Sequence, residues 1–133
     1  NAWRHFQVLS NTLGDSRFLI CSADSDRLRK ATTNFSRLSN SNLSYFIDLD
    51  STQNDPQRIL CGDRNLTNGT PFKNGILEVT TNKPAAWTDE IHKHVGNLLL
   101  SDGSVQMVSQ SGLRVAIANP GEFTNHLQMP VIP

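Results

Sequence analysis

HKHVGNLLLSDGSV, residues 92–105, carries the clearest structural signal in the chain. Asp102-Gly103 lies between two strand-like runs within residues 96–109, each mixing apolar and polar side chains. Asp-Gly flanked in this way signals a hairpin, because a two-residue reversal needs positive φ at both central positions and these residues tolerate it. Such a reversal predicts Ser101 opposite Ser104, Leu100 opposite Val105, Leu99 opposite Gln106 and Leu98 opposite Met107. Pleating then gathers Leu98, Leu100, Val105 and Met107 on a core face and turns Leu99, Ser101, Ser104 and Gln106 the other way.

The flanking sequence extends this into a sheet with helices. Trp3, Phe6, Leu9 and Leu13 share one helical face across residues 2–13, and Gly14 is placed to stop that helix. Residues 17–21 (RFLIC) read as a short buried strand or extended segment. Residues 22–42 are a polar excursion with room for one helical turn, and its length requires either internal hydrogen bonding or a function. Residues 43–49 and 57–63 read as two strands of an antiparallel pair around a turn-rich break. Residues 75–81 form a further strand around Ile76 and Leu77, and residues 109–118 a short helix stopped by Pro120-Gly121. Residues 125–130 read as extended. A helix followed by an antiparallel meander is an α+β architecture, and the 133 residues make one domain, 1–133.

Composition narrows the function classes. Twelve Lys and Arg balance twelve Asp and Glu, and no stretch gathers positive charge. Nucleic acid and anionic membrane surfaces are therefore poor candidates, since each demands a basic footprint. No apolar run approaches the ~20 residues that span a bilayer. Low apolar and charged content with abundant Asn, Ser and Thr suits a loop-rich extracytoplasmic domain.

The residues able to do chemistry are few. His92 and Asp102 are two members of a possible triad, but no nucleophile elbow accompanies them. The structural reading is stronger: Asp102 bonds its own turn, and His92 caps a carbonyl or carboxylate at the lead-in to the hairpin. His92 and His94 share a face only if their segment is extended, and zinc would need further ligands. Calcium has oxygen donors in Asp24, Asp26, Asp48, Asp50 and Asp63, though none has the Asp-x-Asp-x-Asp-Gly spacing. Arg64, within Asp63-Arg64-Asn65, reads as a loop-stabilising group bonded to carbonyls or a carboxylate. Cys21 and Cys61 end two apolar runs. They are either buried thiols, the favoured reading, or a disulfide between neighbouring strands in an oxidising compartment. Asn34, Asn42, Asn65 and Asn68 begin N-x-Ser/Thr sequons, read here as chance matches.

His92, nine residues, then Asp102-Gly103 is also the signature of a group of prepilin-processing-associated proteins. The segments FLICSADSDR, NLSYFIDLD, ILCGDRNLT and LQMP occur in the order found in pilin-like secretion proteins of that kind. The chain thus resembles the type IV pilin-like and type II secretion pseudopilin family over most of its length. It departs from the pattern at Ser22, where Pro is frequent, and at Ser104, where a second His is frequent. The resemblance implies a type IV pilin-like head, with a truncated N-terminal helix packed on an antiparallel sheet and a transmembrane helix preceding residue 1. It makes His92, Asp102 and Gly103 structural motif residues. It further implies a filament subunit and not an enzyme, processed by prepilin peptidase. Its partners would be other pilin-like subunits and secreted cargo. Its place would be the inner membrane with a periplasmic head, or an extracellular filament. Two other readings compete. One is an extracytoplasmic binding module for polysaccharide or a surface protein, using residues 22–42 with Tyr45 and Trp87 as exposed aromatics. The other is a small hydrolase built on His92 and Asp102.

Overall fold

Six short segments become the strands of one sheet, in a computed structural model that describes residues 1–52, 54–118 and 124–133. In chain order these are β1 (Tyr45–Asp48), β2 (Ile59–Asp63), β4 (Ile76–Val79), β6 (Gly96–Leu100), β7 (Val105–Val108) and β8 (Asn125–Gln128). The spatial order is β4-β8-β1-β2-β6-β7, and every pairing is antiparallel. A separate two-stranded ladder joins β3 (Leu66–Thr67) to β5 (Ala86–Trp87). The mixed architecture with an antiparallel sheet is the expected α+β class. The C-terminal extended segment lies inside the sheet, between β4 and β1.

Alternation along β1 divides the molecule. Phe46 points into the main core with Leu77, Val79, Leu98, Leu100 and Leu127, where Leu113 and Ile117 of α3 (Gln110–Ala118) close over them. Each such fully buried side chain contributes about 1.5–3 kcal/mol. Tyr45 and Ile47 point the other way, onto a second cluster of Ala2, Phe6, Leu19, Leu38 and Leu43. Helix α1 (Ala2–Gln7) therefore packs on the face opposite α3.

The expected 2–13 helix is broken. After α1 the chain turns at Val8 and Leu9 and resumes as α2 (Ser10–Leu13), ended by Gly14 at φ +69°. Leu9 is exposed and falls outside the apolar stripe. Residues 17–21 are not a strand: Ser16–Leu19 is a 3₁₀ turn capped by Asp15, and it buries Leu19 while exposing Phe18. The polar excursion is ordered by its own hydrogen bonds: the Ser36 amide donates to Asn34 Oδ1 at 2.9 Å and the Ser39 amide to Asn42 Oδ1 at 2.9 Å. The helix expected over 109–118 is present as α3. Its proposed stop at Pro120-Gly121 lies outside the described residues.

The hairpin forms with a register one residue away from the expected one. Leu99 pairs with Val105, Leu98 with Gln106, Asn97 with Met107 and Gly96 with Val108. The loop holds three residues, not two. The Leu100 amide donates to Ser104 O at 2.9 Å, the Gly103 amide to Leu100 O at 2.9 Å, and Gly103 alone has positive φ, at +85°. This is the three-residue reversal that ends in a left-handed glycine. The reason lies outside the hairpin: the Ser101 and Asp102 amides donate to Arg58 O and Pro56 O, which fastens the turn to the approach of β2. A slip of one residue exchanges the faces of a strand. Val105 and Met107 are accordingly 66% exposed instead of joining Leu98 and Leu100 in the core.

Candidate functional site

The segments that stood out in the sequence converge at one end of β1 and β2. The Ser44 amide donates to Leu19 O, the Arg64 amide to Ser44 O, and the Cys21 amide to Ser44 Oγ. These bonds strap the chain around Cys21 alongside the β1–β2 pair. Asp24, whose carboxylate is fully buried, accepts from Arg64 Nη2 at 2.6 Å, Arg64 Nε at 2.8 Å and Ser44 Oγ at 2.8 Å. Arg64 also donates to Glu90 at 2.7 Å. Arg29 lies against Asp24 and Asp26 and donates to the carbonyls of Asn40, Leu43 and Pro130. Burial pushes the Asp24 carboxyl up, but the Arg64 guanidinium, the Ser44 hydroxyl and the Asp26 amide outweigh it and hold the group below its ordinary value. Arg64 thus bonds carboxylates, as one of its two sequence readings had it. Asn65 beside it donates to Thr88 O and Val95 O.

Next to this network, Cys21, Asp63 and His92 meet. His92 Nε2 lies 3.5 Å from Cys21 Sγ and 3.5 Å from Asp63 Oδ2. The three ligand-type atoms fall within 4.8 Å of one another. The Asp63 carboxylate is 1% exposed, and its Oδ2 accepts from the Asn97 amide at 2.7 Å and Asn97 Nδ2 at 3.0 Å. Asp63 is placed by the pairing of β2 with β1, opposite Tyr45. His92 is placed by a turn in which Lys93 and His94 hold φ of +51° and +65°, an arrangement that costs non-glycine residues free energy. Cys21 and Asp63 also line an apolar cavity of about 410 Å³ with Phe6, Phe18, Leu99 and Val105.

The structure takes His92 to a carboxylate, but that carboxylate is Asp63. Asp102 stands beyond the far end of β6, roughly 13 Å of strand away. Asp102 Oδ1 accepts from the Ser104 amide at 2.8 Å and the Ser104 hydroxyl at 2.6 Å, the turn role foreseen for it, with Gly103 supplying the left-handed residue. The His92–Asp102 dyad of the hydrolase reading is therefore not assembled. His92 and His94 do not share a face either. The backbone is left-handed at Lys93 and His94 instead of extended, and His94 Nδ1 sits 3.3 Å from Trp87 O.

The aspartates named for calcium are occupied separately. Asp24 and Asp26 face guanidiniums, Asp50 lies 2.8 Å from His126 Nδ1, and Asp63 joins the cysteine and histidine. Asp48 is buried, with Oδ1 accepting from the Asp50 amide, and burial drives its carboxyl up to about 6. Cys21 and Cys61 are free thiols lining the same cavity. Burial, then the Asp63 charge, pushes the Cys61 thiol up to about 12. The aromatics expected at a glycan surface are not exposed as that reading needs: Trp87 is 2% exposed against Gly96 in the main core, and Tyr45 is half-buried under α1.

Sequence reasoning missed Asp63 as the partner of His92, and Cys21 as the third member. A signal was available: Cys21 ends the apolar run of FLICSADSDR, Asp63 follows that of ILCGDRNLT, and both segments were singled out together with that of His92. What the sequence did not give is the β1–β2 pairing that brings them together. No family model, no curated protein and no solved structure matches the chain.

Proposed function

We propose that this chain is the head of a pilin-like filament subunit of a type II secretion or type IV pilus-like system, a part that makes contacts instead of doing chemistry. The observation that carries this reading is the placement of α1: the first helix of the chain lies on an antiparallel sheet, on the face opposite α3, through Ala2 and Phe6. That is the relation a pilin helix has to its head in the family the sequence resembles. The outer strand β7 supports it: among the described residues it pairs only with β6, and Val105 and Met107 present apolar side chains to solvent on that edge strand, a surface suited to packing against neighbouring subunits. Among the described residues no helix is long and apolar enough to cross a membrane. The reading therefore assigns anchoring to a helix preceding Asn1, processing to prepilin peptidase acting on the precursor, and the head to the periplasm or the outside of a filament. Secreted cargo is a further partner on this view.

The test is expression of the complete reading frame with and without a prepilin peptidase. The proposal expects a membrane-fraction precursor with a basic leader and an apolar helix, shortened at its N-terminus only when the peptidase is present. A frame without an apolar segment before residue 1, or a product of unchanged mass in both strains, would overturn it.

A further inference from the structure

We propose that Cys21, Asp63 and His92 bind one divalent cation of the zinc class, in addition to any role in assembly. The spacing fits first. A tetrahedral zinc ion with ordinary bond lengths sets its sulfur and nitrogen ligands about 3.5 Å apart and its nitrogen and oxygen ligands about 3.3 Å apart. Here the Sγ–Nε2 and Nε2–Oδ2 separations are each 3.5 Å.

The donor set agrees. Thiolate, imidazole and carboxylate together suit zinc, whereas calcium and magnesium take oxygen ligands. Charge points the same way. Asp63 is an almost fully buried carboxylate, and a buried anion is costly without a compensating cation. Arg64, the nearest guanidinium in sequence, is turned to Asp24 and Glu90 instead. A divalent ion with the Asp63 carboxylate and the Cys21 thiolate makes a neutral group.

The supporting shell is also built. Two N–H groups of Asn97 fix the Asp63 oxygen, the outer bonding that orients a metal-binding carboxylate. The left-handed pair Lys93 and His94 is the strain that aims His92. The rival reading, a Cys–His–Asp catalytic chain, fails on one atom. In such a chain the base meets the nucleophile through one ring nitrogen and its orienting carboxylate through the other, whereas here Nε2 faces both. Three protein ligands leave a fourth position, reached from the cavity that Cys21 and Asp63 line.

The experiment uses the 133-residue chain, reduced and stripped with chelator, titrated with cobalt(II) and then zinc(II). One equivalent of cobalt should give a thiolate-to-cobalt charge-transfer band in the near ultraviolet with release of protons, and zinc should then displace the cobalt and abolish the band. Zinc at about a hundredfold over its Kd should raise Tm by roughly 10 °C. Cys21→Ser should abolish the band, His92→Gln should weaken zinc binding at least about tenfold, and Cys61→Ser should leave both unchanged. Because Cys21→Ser lies in a packed region, the same question is put to the unaltered chain: zinc must shield Cys21, mapped by peptide mass, from alkylation. No cobalt band, a band that follows Cys61 instead of Cys21, or Cys21 alkylation equal with and without zinc would each overturn the proposal.

Discussion

Asp24→Asn isolates the interaction on which the 22–42 excursion depends. The change keeps size and removes one charge from a carboxylate that is fully buried between Arg64 and Arg29, themselves 10% and 6% exposed. Taking one partner from a buried ion pair costs about 3–5 kcal/mol, because the remaining charge is left uncompensated. Two features set the value here near the lower end. Asp26 stays 3.3 Å from Arg29 and Glu90 stays 2.7 Å from Arg64, so neither guanidinium is stranded. About 3 kcal/mol is a large share of the 5–15 kcal/mol, or thereabouts, that holds a domain folded. With a urea slope of about 2 kcal/mol per molar, the unfolding midpoint should fall by roughly 1.5 M. Fluorescence of the buried Trp87 reports the transition. The sign of the pH dependence is fixed too. Asp24 is held below its ordinary value of 3.8, so its contribution is complete above that value and is lost as pH falls through the lower folded value. The gap between wild type and variant should therefore close in strong acid. An unchanged midpoint at neutral pH, or a gap that persists undiminished at the acid end, would refute the reasoning. Asp15→Asn, at an exposed pair with Arg17, should leave the midpoint where it is.

Three further outcomes are expected. Gly96→Ala should destabilise by about 1–3 kcal/mol or more, read by thermal unfolding, because its Cβ would stand 2.5 Å from the ring of buried Trp87. Asp48→Asn should stabilise increasingly with pH. Burial raises this carboxyl from 3.8 to about 6, so the wild type loses stability across that window, where the unfolded chain ionises while the folded carboxyl keeps its proton. The variant escapes up to about 3 kcal/mol of that loss, measurable by denaturation on either side of the window. Cys61, its thiol pushed to about 12, should react with iodoacetamide on the order of a hundredfold more slowly than free cysteine in the folded chain, and normally after unfolding.

The parts of the fold legible in the sequence were those set by local chemistry. Asp102-Gly103 marked a reversal, Gly14 marked a helix stop, and the alternation around Phe46 and Leu98 marked strands. The register of the hairpin was not legible, because it is set by Arg58 O and Pro56 O accepting the Ser101 and Asp102 amides, which are distant in sequence. Trp87 looked like a surface aromatic in a polar stretch. It is buried because Gly96, on a neighbouring segment, leaves room for its ring. At the candidate site the sequence singled out His92 and allowed it a carbonyl or a carboxylate partner, and the only carboxylate it set beside His92 was Asp102 of the hairpin. The true partner, Asp63, is brought in by antiparallel pairing, which periodicity alone does not specify.

The two faces of the sheet are finished differently, and this asymmetry links the register, the cavity and the thiol cluster. On the α3 side Leu113 and Ile117 close a continuous core. On the α1 side the cover is two short helical pieces and a 3₁₀ turn, which bury Tyr45 and Ile47 but leave an apolar cavity bordered by Leu99 and Val105. A two-residue turn would have sent Val105 and Met107 toward the α3 side. The three-residue turn turns them outward along the edge strand instead, at the cost of keeping two apolar side chains in water. The same choice sets Asn97 opposite Met107, while the pairing of β6 with β2 turns Asn97 to Asp63. The bonds that fasten the turn to residues 56–58 therefore fix, through β6, both the apolar edge and the orientation of the Asp63 carboxylate.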